Sequence, residues 1–202
     1  MKKQSTFMAW ITRMPLIKRW ALMHCVQEEN IAEHSHQVAV IAHLLTVIGN
    51  RRYDNPLDPE RAAVIALYHE VSETKLQDIN SKTKYHNPQF TRAFKQLETL
   101  AEQECLKTLP EDLRDAFSDL VIQENVDPRY KAIVKAADIL SAYIKALNEL
   151  RFRNDEFVHV KQGLEEKIAE LRQNMPEVND FMEVFCASCS TTLDKISGYP
   201  EE

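Results

Sequence analysis

Glycine is scarce in this chain, with 3 in 202 residues beside 8 prolines. Hairpin-rich folds need many turn positions with φ > 0, so this shortage excludes them and favours long helices. Long hydrophobic runs are missing too, and no stretch approaches the ~20 apolar residues of a membrane span. The opening MKKQSTFMAWITRMPLIKRW carries lysines but no uninterrupted apolar segment or small-residue cleavage pattern, so the expectation is a cytoplasmic protein without a membrane role. Positive charge is in deficit: 25 Lys+Arg against 31 Asp+Glu leave a formal net charge of -6. That balance argues against a surface for polymeric DNA or RNA and leaves room for a local basic pocket that meets a small anion. The 4 cysteines, Cys25, Cys105, Cys186 and Cys189, are too few and scattered for a disulfide framework. Cys186 and Cys189 form a CxxC, but it lies in an apolar helical pattern with Phe181, Val184 and Phe185, and packing is the expected role.

What is present is 44% hydrophobic sequence, enough for the continuous core of one medium all-α domain. Apolar residues recur at helical spacing, as in Val38, Ile41, Leu45 and Ile48, then Ala62, Ile65, Ala66 and His69. Asn30 with Glu33 three residues on predicts a capping box and a helix from Ile31 to Ile48, stopping near Gly49-Asn50. Asp58-Pro59 predicts the start of a second helix that carries Glu60 through Glu73. The polar stretch 74–88 reads as a loop with one short turn. Further helices are expected at 89–108, 111–123, 128–150, 156–173 and 178–196, followed by a loose tail over 197–202.

Chemistry-bearing residues stand out against this helical background. His34 shares the face of Val38, Ile41 and Leu45, which suits either a hydrogen-bonded core histidine or a metal ligand. On the second helix His69 and Glu73 are spaced i, i+4, with Glu70 about a quarter-turn away, so imidazole and carboxylates converge at one helix end. Asp138 is embedded among Ala136, Ala137, Ile139 and Leu140, where a charge needs a cation or a salt bridge, for instance to Lys135. Imidazole with carboxylate suits one divalent transition metal, such as zinc, manganese, iron, cobalt or copper, better than magnesium or calcium. Arg19-Trp20 reads either as a surface cation beside an anchoring aromatic or as a phosphate fork with a flat apolar neighbour. The remaining histidines, His24, His36, His43, His86 and His159, are assigned no metal role, and the runs Glu28-Glu29 and Glu165-Glu166 are expected to be solvated helix faces.

These residues fall in an order that resembles the H…HD…D pattern of the HD-domain metal phosphohydrolases, and more closely the bacterial 5′-deoxynucleotidase (YfbR-type) branch. The matching segments are 16–23 (LIKRWALM), 29–35 (ENIAEHS), 68–73 (YHEVSE) and 134–143 (VKAADILSAY). The resemblance implies a metal held by His34, His69, Glu70 and Asp138, with Glu73 as the acid/base residue. It implies that Arg19 orients the substrate phosphate, that Trp20 packs on the nucleoside, and that Asp78, Ile79, Asn80 and Ser81 meet the sugar and phosphate side. The implied reaction releases phosphate from deoxyribonucleoside 5′-monophosphates, the partner is that small-molecule deoxynucleotide, and family members are typically homodimers. Two departures stand out: Glu70 replaces the family's aspartate, and residues 77–82 read QDINSK where the family has Gly-Asp-Leu-Pro-Thr-Pro. They leave two alternatives, a catalytically impaired nucleotide- or partner-binding protein and a deoxynucleoside triphosphate hydrolase.

Overall fold

The computed structural model describes residues 4–198. Its α-helices are α1 (Phe7–Ile11), α2 (Ile31–Arg52), α3 (Pro59–Tyr68), α4 (Glu73–Leu76), α5 (Ser81–Lys84), α6 (Pro88–Lys107), α7 (Arg114–Val121), α8 (Pro128–Arg151), α9 (Val158–Asn174), α10 (Pro176–Val184) and α11 (Leu193–Ile196). Among the described residues the only β-type pairing is an isolated antiparallel bridge between Lys18 and Asn30.

Capping sets where the two helices that matter most begin. Asn30 accepts hydrogen bonds from the backbone of Ala32 and Glu33, both at 3.0 Å, while the Glu33 carboxylate accepts from the Asn30 N–H at 3.2 Å. Asp58 caps α3 in the same way through the N–H groups of Glu60 and Arg61. Each such cap is worth about 1 kcal/mol, because it satisfies donors that have no partner inside the helix.

Helix α2 runs past the expected stop at Gly49-Asn50 and ends at Arg52. Glycine does not stop it, because its backbone stays helical, and the Gly49 carbonyl accepts from both Tyr53 and Asn55 at the helix end. The segment 178–196 is broken rather than continuous, with α10 ending at Val184, a 3₁₀ stretch at Cys186–Ser190 and then α11. Cys186 is buried, as packing requires, whereas Cys189 is exposed. Two short N-terminal helical segments, α1 and a 3₁₀ turn at Met14–Leu16, were not expected from the periodicity, which is too short there to register. Ser197 and Gly198 form an exposed turn, and the rest of the expected tail lies outside the described residues.

Helix α2 packs against α3, α8 and α10, and α8 packs in turn against α9. Leu45, Ile65, Ile133, Leu140 and Phe157 are almost completely buried between them. Burying each of these side chains contributes about 2 kcal/mol, so this core holds α2, α3 and α8 in fixed register. A smaller cluster of Phe7, Val71, Cys105, Leu109 and Val121 joins α1, α6 and α7 to the turn after α3. The two clusters together grip residues 69–72 from both ends.

Candidate active site

The expected second helix does not continue to Glu73. It ends at Tyr68, and His69 to Ser72 form turns before α4. The backbone N–H groups of His69, Val71, Glu73 and Thr74 pair three residues back, to Ala66, Tyr68, Glu70 and Val71, instead of four. The Thr74 hydroxyl also donates to the Val71 carbonyl, at 2.7 Å. This tighter winding swings Glu70 toward His69, and the His69 Nε2 to Glu70 Oε1 distance is 3.4 Å.

His34 from α2 and Asp138 from α8 meet this turn. His34 Nε2 lies 3.2 Å from Asp138 Oδ1 and 3.9 Å from Glu70 Oε1. One potential ligand atom from each of His34, His69, Glu70 and Asp138 lies within 4.8 Å of the others. Both imidazoles present the nitrogen a metal would use. His69 Nδ1 is 2.6 Å from the Ala66 carbonyl, and His34 Nδ1 faces Ser141 Oγ at 3.3 Å and Glu29 Oε1 at 3.5 Å. An acceptor at Nδ1 holds the proton there and turns the Nε2 lone pair inward. Both Nε2 atoms are buried without a hydrogen-bond partner, which a cation at the centre of the four groups would remedy. Two imidazoles with two carboxylates match the donor set of a divalent transition ion, so the residues present fit the metal.

The electrostatics separate the carboxyl groups into two kinds. Burial works against ionisation of Glu70, but the adjacent His69 and then the Arg19 charge bring it down to about 2. Burial likewise opposes the Asp138 charge, yet the neighbouring His34 and Lys135 hold it well below the usual carboxylate range, and Lys135 Nζ is 2.7 Å from Asp138 Oδ2. The expected salt bridge to Lys135 therefore uses Oδ2 and leaves Oδ1 turned toward His34 and the cluster. Glu73 is the opposite case: burial, then the charges of Glu70 and Asp78, push it up to about 10. Its Oε2 is buried without a hydrogen-bond partner. Paired carboxyl groups with environments this different serve as ligand and as proton carrier respectively.

Arg19 closes the site on one side. Its Nη1 lies 3.5 Å from Glu70 Oε1 and its Nε 3.6 Å from Glu29 Oε2, and these flanking charges keep it protonated against burial. Trp20 sits at φ 60° under the Arg19 guanidinium, 5.7 Å from it, and edge-on to Phe157 at 5.2 Å. Burial raises the Asp78 carboxyl, and the Arg19 charge and then the Trp20 backbone oppose that rise. Asn80 is occupied as the cap of α5 and also reaches the Ala21 carbonyl at 3.4 Å. Ile79 is half-buried and Ser81 exposed. Among the described residues no hydrogen bond or ion pair ties either of them to the four-residue cluster.

The five histidines given no role, His24, His36, His43, His86 and His159, are all exposed. Glu165 and Glu166 are exposed on α9, and Glu28 is exposed as well. Glu29 departs from the expectation: it is on no helix, its side chain is only 12% exposed, and it faces Arg19, Trp20 and His34. The signal available in the sequence was its place one residue before a strong N-cap, where a side chain leaves the helical stripe.

Residues 6–189 match the family described as 5′-deoxynucleotidase YfbR-like. A 5′-deoxynucleotidase of Vibrio atlanticus is 42% identical over 195 residues, covering 96% of this chain and 100% of that protein. A 5′-deoxynucleotidase of Yersinia pestis is 43% identical over 193 residues, covering 96% and 97%. Among solved structures, an HD-domain phosphohydrolase from Listeria innocua superposes with a TM-score of 0.80 at 18% identity, over 95% of this chain and 92% of that one. The cyanophage S-2L HD phosphohydrolase, bound to dA and one catalytic Zn²⁺ ion, superposes with a TM-score of 0.66 at 18% identity, over 95% and 100%. These two structural likenesses establish the fold.

Proposed function

Because this chain belongs to the YfbR-like 5′-deoxynucleotidase family, we propose how its own residues carry out the family's reaction. The enzyme is a phosphohydrolase that converts deoxyribonucleoside 5′-monophosphates to deoxynucleoside and phosphate. The observation that carries the assignment of roles is the pair of orphaned, buried Nε2 atoms of His34 and His69, set between two ionised carboxylates beside a buried arginine and a protonated Glu73.

His34, His69, Glu70 and Asp138 hold one divalent transition metal. When bound, such an ion supplies Lewis acidity toward a water and a phosphoryl oxygen. Arg19 places its guanidinium fork on the phosphate, where two parallel N–H donors match two oxygens. Trp20 presents its ring to the nucleoside, and residues 78–81, led by Asp78, face the sugar. Glu73 relays a proton between the attacking water and the departing 5′ oxygen, so the P–O5′ bond breaks without releasing a free alkoxide. The family's homodimer and a cytoplasmic location are proposed for this chain by the same kinship. Among the described residues no helix is long and apolar enough to cross a membrane.

A phosphate-release panel of deoxy and ribo monophosphates with added cobalt, manganese or zinc tests the reading. Glu73→Ala is expected to lower kcat by about 10²- to 10⁴-fold, the range of a lost general acid/base. Robust turnover by that variant removes the proton role. Glu70→Asp, measured beside it, reports on the extra methylene of the natural ligand. Glu70 Oε1 already stands within reach of both imidazoles, so comparable metal affinity is expected, and a large gain in turnover shows that the glutamate compromises the site. Release of triphosphate from a deoxynucleoside triphosphate, with none of the monophosphates hydrolysed, points to the alternative substrate.

A further inference from the structure

Glu29 lies outside the four-residue cluster and the Arg19-Trp20 pair, yet it touches His34 of the first and both members of the second. Its position comes from the backbone. The Arg19 N–H donates to the Glu29 carbonyl at 2.9 Å and the Ile31 N–H to the Ile17 carbonyl at 3.0 Å, so segments 17–20 and 28–31 run antiparallel on either side of the Lys18–Asn30 bridge. The pairing sets Glu29 against the Arg19-Trp20 pair, and the Asn30 cap then starts α2 so that His34 follows in its first turns.

The two carboxylate oxygens are divided between the two halves of the site. Glu29 Oε2 accepts the Trp20 indole N–H at 2.6 Å and lies 3.6 Å from Arg19 Nε. Glu29 Oε1 lies 3.5 Å from His34 Nδ1, on the side of the ring away from the Nε2 atom that faces Asp138 and Glu70. Ser141 Oγ is the other neighbour of Nδ1, and its own proton goes to Gln37 Oε1 at 2.7 Å, which leaves it as an acceptor for the imidazole. His34 is completely buried, so no solvent competes for that nitrogen.

We propose that Glu29 is a positioning residue that couples the two halves of the active site, one oxygen setting a negative charge behind His34 Nδ1 beside the Ser141 acceptor and the other holding the Arg19-Trp20 pair over the substrate. The inference rests on the proposed function, its substrate half on the reaction and its His34 half on the metal site. An acceptor behind a ligating histidine orients the ring and sharpens its affinity, and removing one commonly costs about 10- to 100-fold in metal binding. A glutamine here has one acceptor oxygen and one NH₂ donor where the carboxylate has two acceptors. It can serve the Trp20 N–H with its one acceptor but removes the negative charge behind His34, whose Nδ1 keeps only the neutral Ser141 Oγ.

The test uses the full chain with Glu29→Gln, Glu29→Asp and Trp20→Phe. Zinc affinity is measured by competition with a chromogenic chelator, which requires no turnover, and KM and kcat are measured for deoxyadenosine 5′-monophosphate at saturating metal. Glu29→Gln is expected to weaken zinc binding about tenfold or more and to raise KM more than it lowers kcat. Trp20→Phe severs only one arm and is expected to raise KM with zinc affinity unchanged. Glu29→Asp restores the charge with a shorter reach and is expected to recover part of the zinc affinity lost in Glu29→Gln. The proposal is overturned if Glu29→Gln binds zinc and substrate as the unmodified protein does, or if Trp20→Phe weakens zinc binding as much as Glu29→Gln. An unmodified protein that binds zinc but releases no phosphate sinks the functional reading instead, and the chelator measurement on Glu29→Gln still decides the His34 half.

Discussion

Gln77 has φ 64° and ψ 167°, a backbone region that residues with a Cβ enter at a cost of about 1–3 kcal/mol and that glycine occupies freely. This is the position at which the related pattern carries its glycine. The strained residue stands between α4, which carries Glu73, and Asp78, so the turn that aims both carboxyl groups is held by its surroundings rather than by its own preference. Gln77→Gly is expected to stabilise the protein by about 1 kcal/mol after the larger entropy cost of ordering a glycine. Urea denaturation checks it: the midpoint should rise with an unchanged slope, and a lower midpoint would show that the conformation is not strained. The backbone strain at Gln77 is therefore a stability cost at one residue, next to the half-buried Asp78.

At the scale of elements, two buried carboxyl groups fasten segments that the core does not. Glu149 on α8 accepts from the Val26 and Gln27 N–H groups at 2.8 and 3.1 Å, pairs with Lys145, and receives Asn154 Nδ2 at 2.8 Å. Asn154 and Lys145 also reach the carbonyls of His24 and Gln27, so residues 24–27 are stapled to α8. Since this loop joins Trp20 to Glu29, Glu149→Ala is expected to cost about 3–5 kcal/mol, the penalty of leaving Lys145 buried and unpaired, and to raise KM in whatever fraction remains folded. Thermal melting beside steady-state kinetics would show whether the two losses come together. Glu102 on α6 accepts the Gln123 N–H at 3.0 Å just beyond α7, and burial pushes it up to about 7. Its folded pKa exceeds the unfolded value, so the native state binds the extra proton and stability declines as pH rises from about 4.5 to 7, flattening above that. Glu102→Gln keeps the acceptor and removes the charge. It should flatten that decline and stabilise the protein by about 2–3 kcal/mol at pH 8, with little change at pH 4.5. Urea midpoints at the two pH values measure it, and equal gains at both would contradict the linkage.

For the whole molecule, the four cluster residues come from three separate places, α2, the turn after α3, and α8, and they assemble only when those elements pack. An ion that binds this arrangement and not the unfolded chain stabilises the fold by mass action, about 2.7 kcal/mol at a hundredfold excess over its Kd. The melting temperature should therefore rise when cobalt, manganese or zinc is added to chelator-treated protein. His34→Ala together with His69→Ala should abolish the rise. A shift that survives the double substitution places the ion elsewhere.

Helix class, the Asn30 and Asp58 caps and the inward face of His34 were legible in the chain, because capping chemistry, 3.6-residue periodicity and the cost of an unpaired buried charge act over a few neighbouring residues, whereas the set of four cluster residues was named through the family resemblance. The end of α3 at Tyr68, the tight turns that bring Glu70 to His69, and the place of Glu29 were not. Each is decided by contacts between distant segments: the two core clusters that grip residues 69–72, and the bridge that lays 28–31 against 17–20. Local propensity differs by only tenths of a kcal/mol between an α-turn and a tighter one, whereas burying one large side chain contributes several times as much, so packing overrides it.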